Sequence, residues 1–290
     1  MAMRHMAPFQ EAARVLEGLR GRSLIRAANL TSAEVHATFS VARALREGQL
    51  RMIRPLADRI VCTAFFEPST RTRLSFESAA LRLGASTLSI PDGRVTGAAK
   101  GESLADIGRM LQTYADLVVL RHPDPECLRE IRRCGMTLPL INGGNGQQEH
   151  PTQALSDWFT LTEAFPDEEP LHLGVVGVPS SMRTLRSFLL LGLAVFPHLI
   201  GRLTVVCERR DNCLDAELVG AARAAGVAIH VREDLTRLAP DLDVIYVNAL
   251  TNINGRYELK FHPGTGHRGF MPRGRGLDGS RHAFRGACGG

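Results

Sequence analysis

Along most of this 290-residue chain, short runs of apolar residues alternate with longer stretches whose apolar positions recur every three to four residues. RIVCTAFF (59–66), DLVVLR (116–121) and LPLIN (138–142) are nearly continuous in apolar and β-branched residues, the pattern of strands covered on both faces. STLSI (86–90) reads as a shorter strand. Between them the spacing predicts helices over 9–19, 32–47, 71–83, 102–113 and 124–134, the second introduced by the cap-like NLTSAE. PDGRVTGAAKG (91–101) reads as a polar loop, and GGNGQQEHP (143–151) as a glycine-rich one. A long helix over 152–165 follows, then strands at 171–177, 203–208, 227–232 and 243–248 with helices over 182–195 and 214–225. Strands separated by helices at this spacing imply parallel sheets with right-handed crossovers. The expected fold is α/β: two doubly wound parallel-sheet domains, 1–150 and 151–254, joined by a bridging helix and followed by a tail, 255–290. Ligands of such sheets sit at the carboxyl ends of the strands, so the cleft between the domains is the expected site.

Composition adds a soluble globular core, with 44% hydrophobic and 22% charged residues. No apolar run approaches the roughly 18 residues of a membrane span, and the first residues lack the apolar stretch of a secretory signal. The six cysteines show no metal-binding spacing and several fall in strand-like runs, as expected of reduced thiols in a cytoplasmic protein. A net charge of +5 suggests nucleic acid until it is located. Residues 255–290 hold seven Lys/Arg and two Asp/Glu, so the tail accounts for all of it and nucleic-acid binding is not expected.

Candidate chemistry concentrates at strand ends. STRTR (69–73) follows one strand and opens a helix, where free N–H groups and the helix dipole favour an anion by about 0.3–2 kcal/mol. Ser69 or Thr70 can cap this helix, and Arg71 or Arg73 can grip a phosphate. A cap needs one hydroxyl and no arginine, which favours a ligand. Arg121 ends its strand at the same sheet edge and fits a ligand contact or a strand-end ion pair equally well. His150 and Gln153 flank the first turn of the helix that Pro151 can begin, and the imidazole is placed to donate to a carbonyl oxygen. Lys100 reads locally as a solvated loop lysine. A held phosphate beside a polarised carbonyl suits an acyl phosphate attacked by an amine. Positioning and oxyanion stabilisation then supply the rate, one donor being worth about 10²–10³ in kcat, with no cofactor and no covalent intermediate.

FFEPSTRTRLSFESA, KGESLADIGRMLQTYADLVVLRHP and HPTQALSDWFTL together resemble the aspartate/ornithine carbamoyltransferase family, over roughly residues 20–250. FFEPSTRTR, RHP and the glycine-rich run before HPTQAL resemble its aspartate branch. The resemblance implies Ser69, Thr70, Arg71, Thr72, Arg121, His150 and Gln153 around carbamoyl phosphate, with Arg183 on the amino acid's carboxylate. It aligns Thr96 and Lys100 with a loop that reaches a neighbouring subunit's site, which makes a homotrimer with shared sites the expected assembly. The implied reaction moves the carbamoyl group of carbamoyl phosphate to an amino-acid amine, L-aspartate first among candidates, in pyrimidine biosynthesis. The first domain would bind carbamoyl phosphate and the second the amino acid.

The resemblance is incomplete. Val178 stands where the aspartate enzymes usually have an aspartate, and Ala249 and Thr251 where they place an arginine and a glutamine on the side-chain carboxylate. Losing one partner of a buried carboxylate costs about 3–5 kcal/mol. The tail holds His262, Pro263, Arg268 and Arg273, none of which aligns with the family's closing loop. A divergent substrate loop, an unstructured extension and a frame-shifted end all stay open for it. Two alternatives follow: a carbamoyltransferase for a different amine, and a non-catalytic homologue that binds carbamoyl phosphate. A nucleotide-dependent oxidoreductase is the weakest reading, because LGVVGVPSS lacks the third glycine of the dinucleotide fingerprint, although Glu208 ends the next strand.

Overall fold

The first strand, β1 (Ile60–Phe65), is central because the chain leaves it in both directions: β2 (Ser86–Ile90) pairs on one side and β3 (Leu117–His122) on the other, with β4 (Leu140–Asn145) beyond. All pairings are parallel, with Phe65 opposite Arg121 at the carboxyl ends of β1 and β3. The order β2-β1-β3-β4 places the topological switch between β1 and β3, where an open α/β sheet leaves a crevice. The structure, a computed structural model, describes residues 7–50, 54–166, 169–207, 213–233 and 241–247. The readings at Glu208, Ala249 and Thr251 and throughout 255–290 lie outside them.

The helices of this unit are α1 (Ala7–Glu17), α2 (Ser32–Arg46), α3 (Thr70–Arg82), α4 (Leu104–Tyr114) and the short α5 (Cys127–Glu130). The cap expected in NLTSAE is present: Thr31 accepts from the Glu34 backbone while the Glu34 carboxylate accepts from that of Thr31. Strand alternation divides the core between the two faces of the sheet. Val61, Phe65 and Val119 pack with Ala80 and Ala85, whereas Cys62, Ala64, Val118 and Leu120 pack with Ile107, Leu111 and Ile131. Both faces are covered, which is why these strands read as continuous apolar runs.

Three boundaries depart from expectation. The Gly-rich run is not a loop at its start, for β4 continues through Asn142, Gly143, Gly144 and Asn145. A Cβ on Gly143 would stand 3.3 Å from the Leu120 carbonyl oxygen, so the missing side chain lets the strand close on its neighbour. The helix expected over 124–134 shrinks to α5 and a 3-10 turn, Ile131–Cys134, after the two prolines Pro123 and Pro125. The loop 91–101 holds two 3-10 turns, Gly93–Val95 and Gly97–Lys100.

Clustering of contacts divides the chain into Met1–Leu155 and Ser156–Gly290, a division that falls inside α6 (Pro151–Ala164). The second unit's sheet joins β5 (Leu171–Val176), β6 (Ile200–Val206), β7 (Ile229–Arg232) and β8 (Val244–Val247), all parallel in the order β7-β6-β5-β8. Its switch lies between β5 and β8. Helix α7 (Arg183–Val195) buries most of its residues; α8 (Ala216–Ala224) buries only Leu218 and Ala222. Trp158, Phe188, Phe196 and Tyr246 form a run of stacked rings with centroids 4.5–4.9 Å apart. The polar ends of two are satisfied: Trp158 Nε1 donates to the Phe188 carbonyl at 2.7 Å, and Tyr246 donates to Asp157 at 2.7 Å. No described helix is long and apolar enough to cross a membrane.

Candidate active site

The carboxyl edge of the first sheet collects Ser69, Thr70, Arg71, Thr72, Arg121 and His150, all singled out in the sequence. Ser69 takes the N-cap position of α3 in extended backbone, yet its side chain makes no capping hydrogen bond. Thr70 is the first helical residue, so neither hydroxyl caps as expected, and the first-turn donors of α3 are not closed by a side chain. Arg71 is exposed and forms no ion pair with any described residue. Arg73, the alternative to Arg71 for gripping a phosphate, is instead committed to structure. Its Nη1 lies 3.1 Å from Glu77 Oε1 and 3.2 Å from Ser89 Oγ. The same Glu77 oxygen accepts from Thr63 at 2.8 Å and from Ser89 at 2.7 Å. Burial would raise the Glu77 carboxyl, but the hydrogen bonds from Ser89 and Thr63 and the charge of Arg73 hold it below its ordinary value.

Arg121 enters from β3 and is 8% exposed. Nη2 donates to Glu67 Oε1 at 2.8 Å and Nη1 to the Gly143 carbonyl at 3.2 Å. The ion pair considered from sequence is therefore present, and it aims the guanidinium along the edge that α3 begins. Glu67, a letter of FFEPSTRTR given no role in the sequence reading, is the partner. Burial lowers the pKa of the following His122, against the raising charges of Asp124 and Glu67. Its Nδ1 accepts the Asp124 N–H at 2.9 Å, which places the ring proton on Nε2.

At the end of β4, Asn142 and Asn145 brace the turn that leads to α6. Asn142 Oδ1 accepts the Gly144 N–H at 2.8 Å, its Nδ2 donates to Asn145 Oδ1 at 2.8 Å, and Asn145 Nδ2 donates to the Pro125 carbonyl at 2.7 Å. This turn delivers His150, 4% exposed, with Nε2 3.4 Å from Thr72 Oγ1. Pro151 begins α6 as expected, and Gln153 lies half-buried in its first turn. So Thr72 and His150 meet within one unit, while Arg121 shares with Glu67 and Gly143 the strand ends beside them.

Thr96 and Lys100 lie in the segment after β2. Thr96 Oγ1 accepts the Ala98 N–H at 3.2 Å and donates to the Gly93 carbonyl at 2.6 Å, so its hydroxyl shapes the turn that ends in Lys100. Lys100 is exposed. Arg183 belongs to the second unit, where it opens α7 after the turn that follows β5. There Val178 donates its N–H to Met182 Sδ at 3.4 Å, and Met182 holds the N-cap position without a side-chain cap.

Fold and edge together define a parallel α/β protein whose first sheet presents groups suited to an oxyanion: a helix N-terminus, one exposed arginine, one buried arginine and a buried histidine. A family model described as "Aspartate/ornithine carbamoyltransferase, carbamoyl-P binding domain" matches residues 22–163. The aspartate carbamoyltransferase catalytic subunit of Picrophilus torridus is 35% identical over 240 residues, 80% of this chain and 74% of that protein. That of Thermococcus gammatolerans is 37% identical over 235 residues, covering 79% and 73%. Among solved structures, aspartate transcarbamoylase of Trypanosoma cruzi in complex with N-(phosphonacetyl)-L-aspartic acid aligns with a TM-score of 0.71 and 31% identity, over 79% of this chain and 75% of that one. The same enzyme with carbamoyl phosphate and aspartate aligns with a TM-score of 0.68 and 30% identity, over 78% and 71%. The chain belongs to the aspartate/ornithine carbamoyltransferase family.

Proposed function

We propose that this protein is a carbamoyltransferase that moves the carbamoyl group of carbamoyl phosphate to the amine of L-aspartate. The observation that carries the reading is the meeting of Thr72 and His150, 3.4 Å apart, at the start of a helix whose own cap side chain makes no hydrogen bond. The phosphate sits on the first turn of α3, held by the N–H groups and hydroxyls of Ser69, Thr70 and Thr72 and by Arg71. Arg121 and His150 donate to the carbamoyl oxygen as charge gathers there, with Gln153 beside them. The neutral amine attacks the carbamoyl carbon, the C–O bond to phosphate breaks, and the departing phosphate takes the amine's proton. Arg183 binds the amino acid's carboxylate, and Thr96 and Lys100 act on a neighbouring subunit's site in a homotrimer. Exposed Leu74 and Leu81, seven residues apart on α3, support an assembly that covers this helix. The free thiols of Cys62, Cys127, Cys134, Cys207 and Cys213 agree with a reducing cytoplasm, and the proposed reaction is a step of pyrimidine biosynthesis.

The test is formation of N-carbamoyl product from carbamoyl phosphate and a panel of amino acids. Turnover with aspartate that disappears in Arg71→Ala is expected; near-normal turnover in that variant overturns the assignment of the phosphate site. One sequence observation favours a second reading, a different amine: Ala249 and Thr251 stand where the aspartate branch has its carboxylate clamp. Turnover with another amino acid alone would select it. Binding of carbamoyl phosphate with no turnover across the panel would identify a non-catalytic homologue.

A further inference from the structure

We propose that Arg26, acting through Glu149, is a positioning residue for the His150 imidazole. Residues 23–26 run beside β4 before α2 begins, and Leu24 forms a parallel bridge with Ile141. Ser23 Oγ accepts the Leu140 N–H at 2.9 Å, the Leu24 N–H donates to the Leu140 carbonyl at 2.8 Å, and Asn142 Nδ2 donates to the Ile25 carbonyl at 2.9 Å. A segment fixed this way has one charged residue at its end. Arg26 Nε reaches across 123 residues of sequence to Glu149 Oε1, 3.1 Å away.

Glu149 immediately precedes His150 and is 3% exposed, so its carboxylate requires a cation. Its carbonyl accepts the Asn145 N–H at 3.2 Å, which ties the backbone of the same residue to the end of β4. The residue before His150 is thus held by both main chain and side chain, and the ring it precedes stands against Thr72. A displacement of about 1 Å at such a group costs about 10²-fold in rate. The kinetic part of this inference rests on the carbamoyl-transfer reading; the geometric part does not.

Two measurements on the intact chain test it. In steady-state kinetics, Arg26→Met lowers kcat by about 10–10²-fold with KM for carbamoyl phosphate little changed, and Arg26→Lys recovers part of the loss. In a His150→Ala background the same Arg26→Met change has no further effect, because its route is the imidazole. In the absence of substrate, Arg26→Met shifts the His150 ring resonance, assigned by His150→Ala in protein with labelled histidine, and leaves that of His172 in place. An unchanged kcat, an undiminished loss in the His150→Ala background, or an unmoved His150 resonance overturns the proposal. If Arg26→Met does not fold, Glu149→Gln removes the same pair with little change of shape and carries the same comparisons. If the unaltered protein transfers no carbamoyl group, the functional reading fails, and the resonance still decides whether Arg26 positions His150.

Discussion

Three guanidiniums singled out in the first unit, Arg71, Arg73 and Arg121, do different jobs, set by what lies within reach of each. Arg73 is neutralised by Glu77, Arg121 is buried against Glu67 and the Gly143 carbonyl, and Arg71 is left exposed at the helix start. The planar guanidinium meets the Glu67 carboxylate and the Gly143 carbonyl with two different nitrogens in a fixed geometry that a flexible ammonium does not reproduce. Arg121→Lys should therefore keep the charge and the fold but lower kcat by about 10²–10³, the worth of one well-aimed oxyanion donor. Steady-state kinetics beside a thermal melt checks this. A small loss of activity would mean that the guanidinium serves only the ion pair with Glu67.

At the scale of elements, Glu77 joins three of them: β1 through Thr63, β2 through Ser89 and α3 through Arg73. Its side chain is 16% exposed, and its folded pKa lies below the ordinary value of about 4.5. A depressed carboxyl stabilises the fold above its unfolded pKa, and that contribution is lost as pH falls through the folded pKa. Glu77→Gln should thus cost about 1–3 kcal/mol near neutral pH. The gap from the unaltered protein should narrow progressively below about pH 4.5, as urea melts across pH would show; a constant gap would mean that shape alone matters there. The Arg73–Glu77 spacing of four was open to view in the sequence, since such pairs face each other on a helix. The strands were legible because burial on both faces leaves an apolar run. The continuation of β4 was not, since a glycine carries no side chain to mark a period, and what admits it is the approach of the Leu120 carbonyl. The Arg26–Glu149 pair was illegible for a different reason: nothing local relates residues 123 apart until the sheet brings them together.

At the scale of the whole molecule, the question is whether one chain holds a complete site. Within its own unit, Lys100 ends a 3-10 turn whose hydroxyl cap, Thr96, is occupied with Gly93 and Ala98, and the ammonium is left exposed. An exposed lysine on a braced turn has little to do for its own fold, which agrees with a site shared around a closed ring of subunits. If the site is shared as proposed, mixing variants has a consequence that no single variant reveals. Arg71→Ala and Lys100→Ala should each be inactive alone, but mixed in equal amounts, dissociated and reassembled, they should regain activity. In a ring, random assembly sets an intact Arg71 against a neighbour's intact Lys100 at about one site in four. Recovery near that fraction, with KM for carbamoyl phosphate close to that of the unaltered protein, is the expected result. Recovery that fails although mixed assemblies form would place Lys100 in its own chain's site or outside the chemistry, and the shared-site reading would fall with it.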